Sequence, residues 1–384
     1  METEASAPIA KKRRTNEAPD EKQGRRRRQA PPPRPKPKSR KSKGNESVDH
    51  ISRLPDAILG EIISLLPTKD GARTRILASR WRNLWLSAPL NLDHGSLPAD
   101  TQVQASIISK ILASHPGPAH RFFVRHQAAA ADAWLRSAAL NNLQELELHL
   151  LRVSPLPSFI ETSPWPSLPA CAFRFSVTLQ VVTIKYCHLL DSMVEKTHFP
   201  QLRELGLDCV VISDDALHSI IAGCPHLEYL LLKGCDGFHS PRINSPSLRR
   251  ICRSLGYWEL IIEDAPSLES LLQLDRPGCL DVSVISAPRL ETLGYLSNGY
   301  RESKLVFGTT IIQDLCVVSF TTVICSVKVL AITTYNLSLD MVIDLMRCFP
   351  SLEKFHLNQR AKIYGVVSIV ISSDALASVS RLLC

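Results

Sequence analysis

At 384 residues, with 45% hydrophobic and 21% charged side chains, the chain is too long for one ordinary domain and too apolar to be disordered throughout. Its net charge of +8 averages two unlike parts: residues 1–47 carry 15 Lys or Arg against 6 Asp or Glu, 15 − 6 = +9, which leaves 8 − 9 = −1 for the rest. A nearly neutral body argues against a nucleic-acid-binding fold with a basic face, and 11 Cys, an odd number with no CxxC pair, argue for buried reduced thiols rather than a disulfide framework.

The first 47 residues contain Lys11, Lys12, Arg13 and Arg14, then, ten residues further on, Arg25, Arg26, Arg27 and Arg28, then PPPRPKPKSRKSKG. So little apolar surface cannot build a core, so a disordered basic tail is expected, extended where Pro clusters. Two basic clusters at this separation have the spacing of a bipartite nuclear import signal, in which one flexible strand engages two sites on an import carrier. The plain alternative is a solvated tail that attracts polyanions, nucleic acid included, without specificity. A polar, basic start predicts no secretory signal, and the most apolar stretch, 310–332, is interrupted by Asp314 and Lys328, so no membrane span is expected.

Residues 49–85 read DHISRLPDAILGEIISLLPTKDGARTRILASRWRNLW. Pro55 suits a first helical turn, Asp56 complements the helix start and Pro67 stops the helix, with Ile58, Leu59, Ile62, Ile63 and Leu66 at helical spacing between them. Thr68 is placed to cap a second helix, Gly71 to make it start late or fray, and Leu77, Trp81, Leu84 and Trp85 repeat the helical spacing. Three short helices cannot hide this much apolar side chain from one another, so the surplus predicts a docking surface.

With its Leu54-Pro55-Asp56 opening, its Leu65-Leu66-Pro67-Thr68 turn and its Arg80-Trp81-Arg82 closing before Leu84-Trp85, this unit resembles the F-box. The resemblance implies an F-box over 48–88 that binds a Skp-type adaptor, and through it a cullin scaffold, by way of Leu54, Pro55, Ile58, Leu59, Ile62, Leu66, Pro67, Trp81 and Leu84. Residues 89–140 follow as a linker and transition, with a helix expected over 102–112, a break at His115-Pro116-Gly117-Pro118, a strand at RFFVRH and a helix over 128–140.

From Leu143 the chain repeats LxxLxL: Leu143, Leu146 and Leu148, then Leu179, Val182 and Ile184, then Leu202, Leu205 and Leu207, then Leu227, Leu230 and Leu232. Fainter copies begin at Leu248, Leu268, Leu290, Val327 and Leu352, and the intervals from Leu179 to Leu290 are 23, 25, 21, 20 and 22 residues. Such periods predict an α/β leucine-rich-repeat solenoid over 141–360, in which no turn buries its Leu alone and stacking completes one core. Cys187, Cys235 and Asn298 fall where the residue closing a turn bonds to backbone, and Pro at 225, 246, 266, 288 and 350 fixes the chain before a strand. The long intervals 143–179 and 290–327 predict inserted loops or decayed turns, and the Pro-rich segment 155–170 a surface loop.

An F-box before irregular leucine-rich repeats, with Met346-Arg347-Cys348-Phe349-Pro350-Ser351-Leu352-Glu353-Lys354 near the end, resembles the plant F-box/leucine-rich-repeat proteins that carry an FBD region; the match fades after His356, which makes 361–384 a degenerate or truncated FBD-like end.

No GxGxxG, Walker A, GxSxG or HExxH pattern occurs, and the His are not clustered at ligand spacing, so neither a cofactor nor a metal is expected. Asp214 and Asp215 read as the acidic start of a helix over 216–222, and His188, His218 and His226 as surface or turn residues. The expected function is a non-catalytic substrate receptor of an SCF-type cullin ubiquitin ligase. Its target site is expected on the concave, strand-lined face, at positions that alternate with the inward Leu: Glu147, Lys185, Asp208, Tyr229, Lys233 and Arg250. The rival readings are a nuclear, nucleic-acid-associated protein acting through the basic tail and an enzyme with a site hidden in the solenoid.

Overall fold

A computed structural model describes residues 50–152, 165–194, 197–254, 256, 258–274, 281–297, 303–334, 336, 338–361 and 365–372. The basic tail with both import clusters, Asn298 and most of the 155–170 segment lie outside the described residues. The chain divides at Arg53 and Leu54, and of the first unit the description covers a 3₁₀ turn, Ile51–Arg53.

The second unit opens with three short helices, α1 (Asp56–Ser64), α2 (Thr68–Arg73) and α3 (Ser79–Ser87). Then come β1 (Leu90–Asp93), α4 (Thr101–Ser114), β2 (Ala119–Gln127), α5 (Ala128–Leu135), β3 (Glu145–Leu151) and β4 (Val181–His188). Next are α6 (Asp191–Val194), β5 (Glu204–Val211), α7 (Asp214–Ala222), β6 (Tyr229–Lys233), β7 (Arg242–Asn244) and β8 (Arg250–Ser254). They lead into β9 (Glu259–Asp264), β10 (Ser270–Gln273), β11 (Asp281–Val284), β12 (Thr292–Ser297), β13 (Lys304–Phe307) and β14 (Thr310–Gln313). The described part closes with β15 (Cys316–Ser319), β16 (Val329–Thr334), α8 (Leu339–Cys348), β17 (Lys354–Ala361) and β18 (Gly365–Ser372).

One 12-stranded sheet runs β1-β2-β3-β4-β5-β6-β8-β10-β12-β16-β17-β18, parallel except at its last pair, where β18 is antiparallel to β17. Its register stacks one residue of each turn directly on the next: Leu92, Phe122, Leu146, Val182, Leu205, Leu230, Ile251, Leu271, Leu293, Leu330 and Phe355 form one column. Every member is buried. The turn-opening residues Leu143, Leu179, Leu202, Leu227, Leu248, Leu268, Leu290 and Val327 are buried too, which is the continuous core that the repeat requires. Residues 89–140 supply β1 and β2, so the sheet begins at Leu90, within what the sequence offers as a transition.

The back of the solenoid changes material along its length. The 25-residue step from Leu202 to Leu227 holds the nine residues of α7, capped by Ser213, whose side chain accepts from the Ala216 amide. In the steps of 21, 20 and 22 residues that follow, a strand replaces the helix, and β7, β9, β11 and β13 form a parallel second sheet. A strand advances about 3.3 Å per residue against 1.5 Å for a helix, so a shorter turn spans the same back only when extended. The long interval after Leu290 is an insertion in this second sheet, the antiparallel run β13-β14-β15.

A buried arginine joins the two sheets. Register puts Arg253 in the column of Leu148, Ile184, Leu207 and Leu232, and it is fully buried. One guanidinium nitrogen donates to the Asp281 carbonyl (2.8 Å), another to the Trp258 carbonyl (3.1 Å), and the group lies 4.4 Å from the Trp258 ring centroid.

Candidate functional site

The three-helix unit presents the first surface. Leu59, Ile63, Trp81, Leu84, Trp85 and Ala88 pack into a small interior of their own. Pro55 precedes α1 in an extended conformation, and Asp56 and Arg80 form an ion pair at 2.5 Å while the Arg80 guanidinium donates to the Leu54 carbonyl at 2.6 Å. Arg80 thereby ties α3 to the start of α1. Thr68 is the first residue of α2 and not its cap: its hydroxyl donates to the Asn91 carbonyl (2.8 Å) and accepts from the Asp93 amide (2.7 Å), stitching the unit to β1. Gly71 neither delays nor frays α2, because it is buried where a Cβ would stand 3.2 Å from Trp85 Nε1, so its bareness admits the indole.

This geometry divides the expected adaptor set into surface residues and supporting ones. Leu59, Trp81 and Leu84 are interior, which leaves them to support the surface rather than form it. Pro55, Ile58, Ile62 and Pro67 are exposed, and Leu54 and Leu66 are half-buried. Leu65 (82% exposed) and Ile76 (84%) project as well, outside the helical spacing of the sequence, and so does Leu77, which has that spacing but precedes α3 and stays outside the interior. The signal of Leu65 and Ile76 was that they fit no buried stripe.

The unit is fixed to the solenoid at a crowded junction. His115 Nε2 lies 2.9 Å from the Trp85 carbonyl, and its ring meets the Trp85 indole edge-on at 5.0 Å. Burial pulls the His115 pKa below its usual value, partly offset by bonds to backbone. Beside it the Gly117 amide donates to the Leu86 carbonyl (3.1 Å) and the Leu90 amide to the Pro118 carbonyl (2.8 Å).

The second surface is the sheet face opposite the buried column. Of the six residues expected there, four satisfy one another. Lys185 Nζ lies 3.3 Å from Glu147, which also bonds His149 Nε2 at 2.8 Å, and Lys233 lies 3.3 Å from the largely buried Asp208. His149 and then Lys185 hold the Glu147 carboxyl below the usual carboxylate range against the opposing effect of burial. The structure brings the remaining two together. Tyr229 on β6 and Arg250 on β8 are register partners in a cleft of about 600 Å³, lined also by Arg203, Glu204, Glu228, Arg249 and Glu269. Burial, with the Cys252 thiol beside it, pushes the Tyr229 phenol up to about 12, so its hydroxyl stays protonated.

Among the described residues no cluster of His, Cys, Asp or Glu fits a metal ion, and no helix is long and apolar enough to cross a membrane. Cys235 donates its thiol to the Leu207 carbonyl at 3.4 Å, as expected of a residue closing a turn; Cys187 instead lies buried within β4, after Tyr186 at φ 60°.

A helical bundle with surplus apolar surface, fused to a parallel solenoid with an open strand face, is the architecture of an F-box/leucine-rich-repeat protein. Residues 51–93 match the F-box domain family and residues 131–357 match the leucine-rich repeats of FBD-associated F-box protein At5g56370. The chain belongs to this family of FBD-associated F-box proteins with leucine-rich repeats. Among similar Arabidopsis thaliana proteins, F-box/LRR-repeat protein 13 is 27% identical over 60% of this chain and 53% of its own length. F-box/FBD/LRR-repeat proteins At1g13570 and At4g26340 are 28% and 29% identical, over 59% and 58% of this chain and 54% of each relative. The chain spans about half the length of these relatives.

Proposed function

We propose that the chain is the substrate-recognition subunit of an SCF-type cullin ubiquitin ligase. F-box domains bind Skp-type adaptors, and the observation that carries the reading here is the set of exposed apolar side chains, Ile58, Ile62, Leu65, Ile76 and Leu77, on a bundle whose interior is already filled. The solenoid face around Tyr229 and Arg250 holds the target. The junction at Thr68, His115 and Gly117 fixes the adaptor-binding and target-binding surfaces relative to each other, so target lysines are held at high effective concentration near the ubiquitin carrier. On this reading the chain performs no bond chemistry.

Co-purification with a Skp-type adaptor tests it. The double variant Leu65→Asp, Ile76→Asp should lose the adaptor and keep the wild-type melting temperature, since both side chains are exposed. Leu59→Asp should lose both, because it places a charge in the filled interior. Undiminished adaptor capture by the double variant would remove this surface, and with it the reading.

A further inference from the structure

The charges in the Tyr229 cleft are not equally committed. Arg203 pairs with Glu228 at 2.9 Å and Arg249 with Glu269 at 2.7 Å, both just ahead of the strands. One register position further on, Glu204, Tyr229 and Arg250 stand side by side on β5, β6 and β8, and among the described residues neither Glu204 nor Arg250 makes an ion pair. The cleft therefore offers one free acid and one free base on either side of a half-buried aromatic ring, with no net charge from its three Arg and three Glu.

A doubly charged phosphate brought into such a cleft would meet one free Arg and one free Glu, so the arrangement opposes phosphorylated ligands. A dipolar ligand satisfies both. Glu204 and Arg250 are two inter-strand steps apart, about 9.6 Å along the face. A polyproline II segment puts residues i and i+3 on one side, about 9.3 Å apart. An extended strand puts i and i+3 on opposite sides.

Resting on the reading that this face holds the target, we propose that the cleft binds an unphosphorylated peptide segment in the polyproline II conformation. Its basic and acidic side chains, three residues apart, pair with Glu204 and Arg250 and straddle Tyr229. Pro or another apolar residue between the charges lies on the ring.

The test uses the full chain purified with its Skp-type adaptor and displayed against a random peptide library. The wild-type protein should enrich peptides with opposite charges three positions apart in one order, and the variant Glu204→Arg, Arg250→Glu should enrich the reverse order. A synthetic peptide of the selected sequence should bind Tyr229→Ala at least about tenfold more weakly, and replacing its acid by phosphoserine should bring no gain. Charges seven positions apart, which mark a helical ligand, tighter phosphopeptide binding, the same order from both proteins, or no enrichment would each overturn the proposal. Adaptor retention is read in the same preparation, so a failed cleft and a failed ligase assignment give different results.

Discussion

At the residue scale, Arg253 shows how a repeat template can hide an exception. LxxLxL assigns its position to a buried aliphatic, and nothing local in RICRS marks it otherwise. Only the second sheet, which brings the Asp281 and Trp258 carbonyls to its guanidinium, makes an arginine tenable there. A Lys has a charge but not a fork that reaches two carbonyls. Arg253→Lys should therefore leave one carbonyl unpaired and destabilise the solenoid by about 1–3 kcal/mol, read as a lower melting temperature with adaptor capture kept. A Lys variant as stable as wild type would show that the fork is not what holds the sheets. The adaptor residues divide for a related reason: helical spacing groups Ile58 with Leu59 and Leu77 with Trp81, but only packing decides which of them turn inward.

At the scale of elements, the strand face was legible because the LxxLxL pattern returns every 20 to 25 residues between Leu179 and Leu290 and its inward positions are mostly Leu, Ile or Val. The helices α1, α3 and α4 were legible by apolar spacing, and α7 by the acidic start at Asp214 and Asp215. The second sheet was not: its strands, such as RIN and DVSV, are three to six residues long and carry no common motif. The break at His115-Pro116-Gly117-Pro118 was visible as punctuation, but its role as a junction depends on what it touches. A Cβ at Gly117 would lie 2.6 Å from the Ala88 carbonyl oxygen and 2.7 Å from the His115 ring. The Leu86 carbonyl, 3.0 Å from the same Cβ, is already held by the Gly117 amide, so backbone would have to shift on this side, and Gly117→Ala should cost about 1–3 kcal/mol. It should also loosen the F-box from the solenoid, seen as faster hydrogen exchange at Leu90 and Gly117 with the β5–β6 amides unchanged. Unaltered exchange at the junction would mean that the two parts are held together elsewhere.

At the scale of the whole molecule, charge divides the chain into a tail of +9 and a remainder of −1, and this division separates the ligase reading from its rival. If the tail is an import signal, two clusters must act together, because Lys11–Arg14 and Arg25–Arg28 engage two sites on one carrier through the intervening residues. Loss of either cluster should then abolish import while four positive charges remain in the other. If the tail is a polyanion-binding arm, loss of one cluster should only reduce its affinity in proportion to the charge removed, with a shallower dependence on salt. A reporter carrying residues 1–47 distinguishes the two. It should accumulate in the nucleus, and Arg25–Arg28 replaced by Ala should distribute it evenly even though Lys11–Arg14 and the later Lys and Arg are intact. Nuclear accumulation that declined only in step with the number of charges removed would favour retention on nucleic acid over carrier-borne import, and would return the tail to a non-specific role.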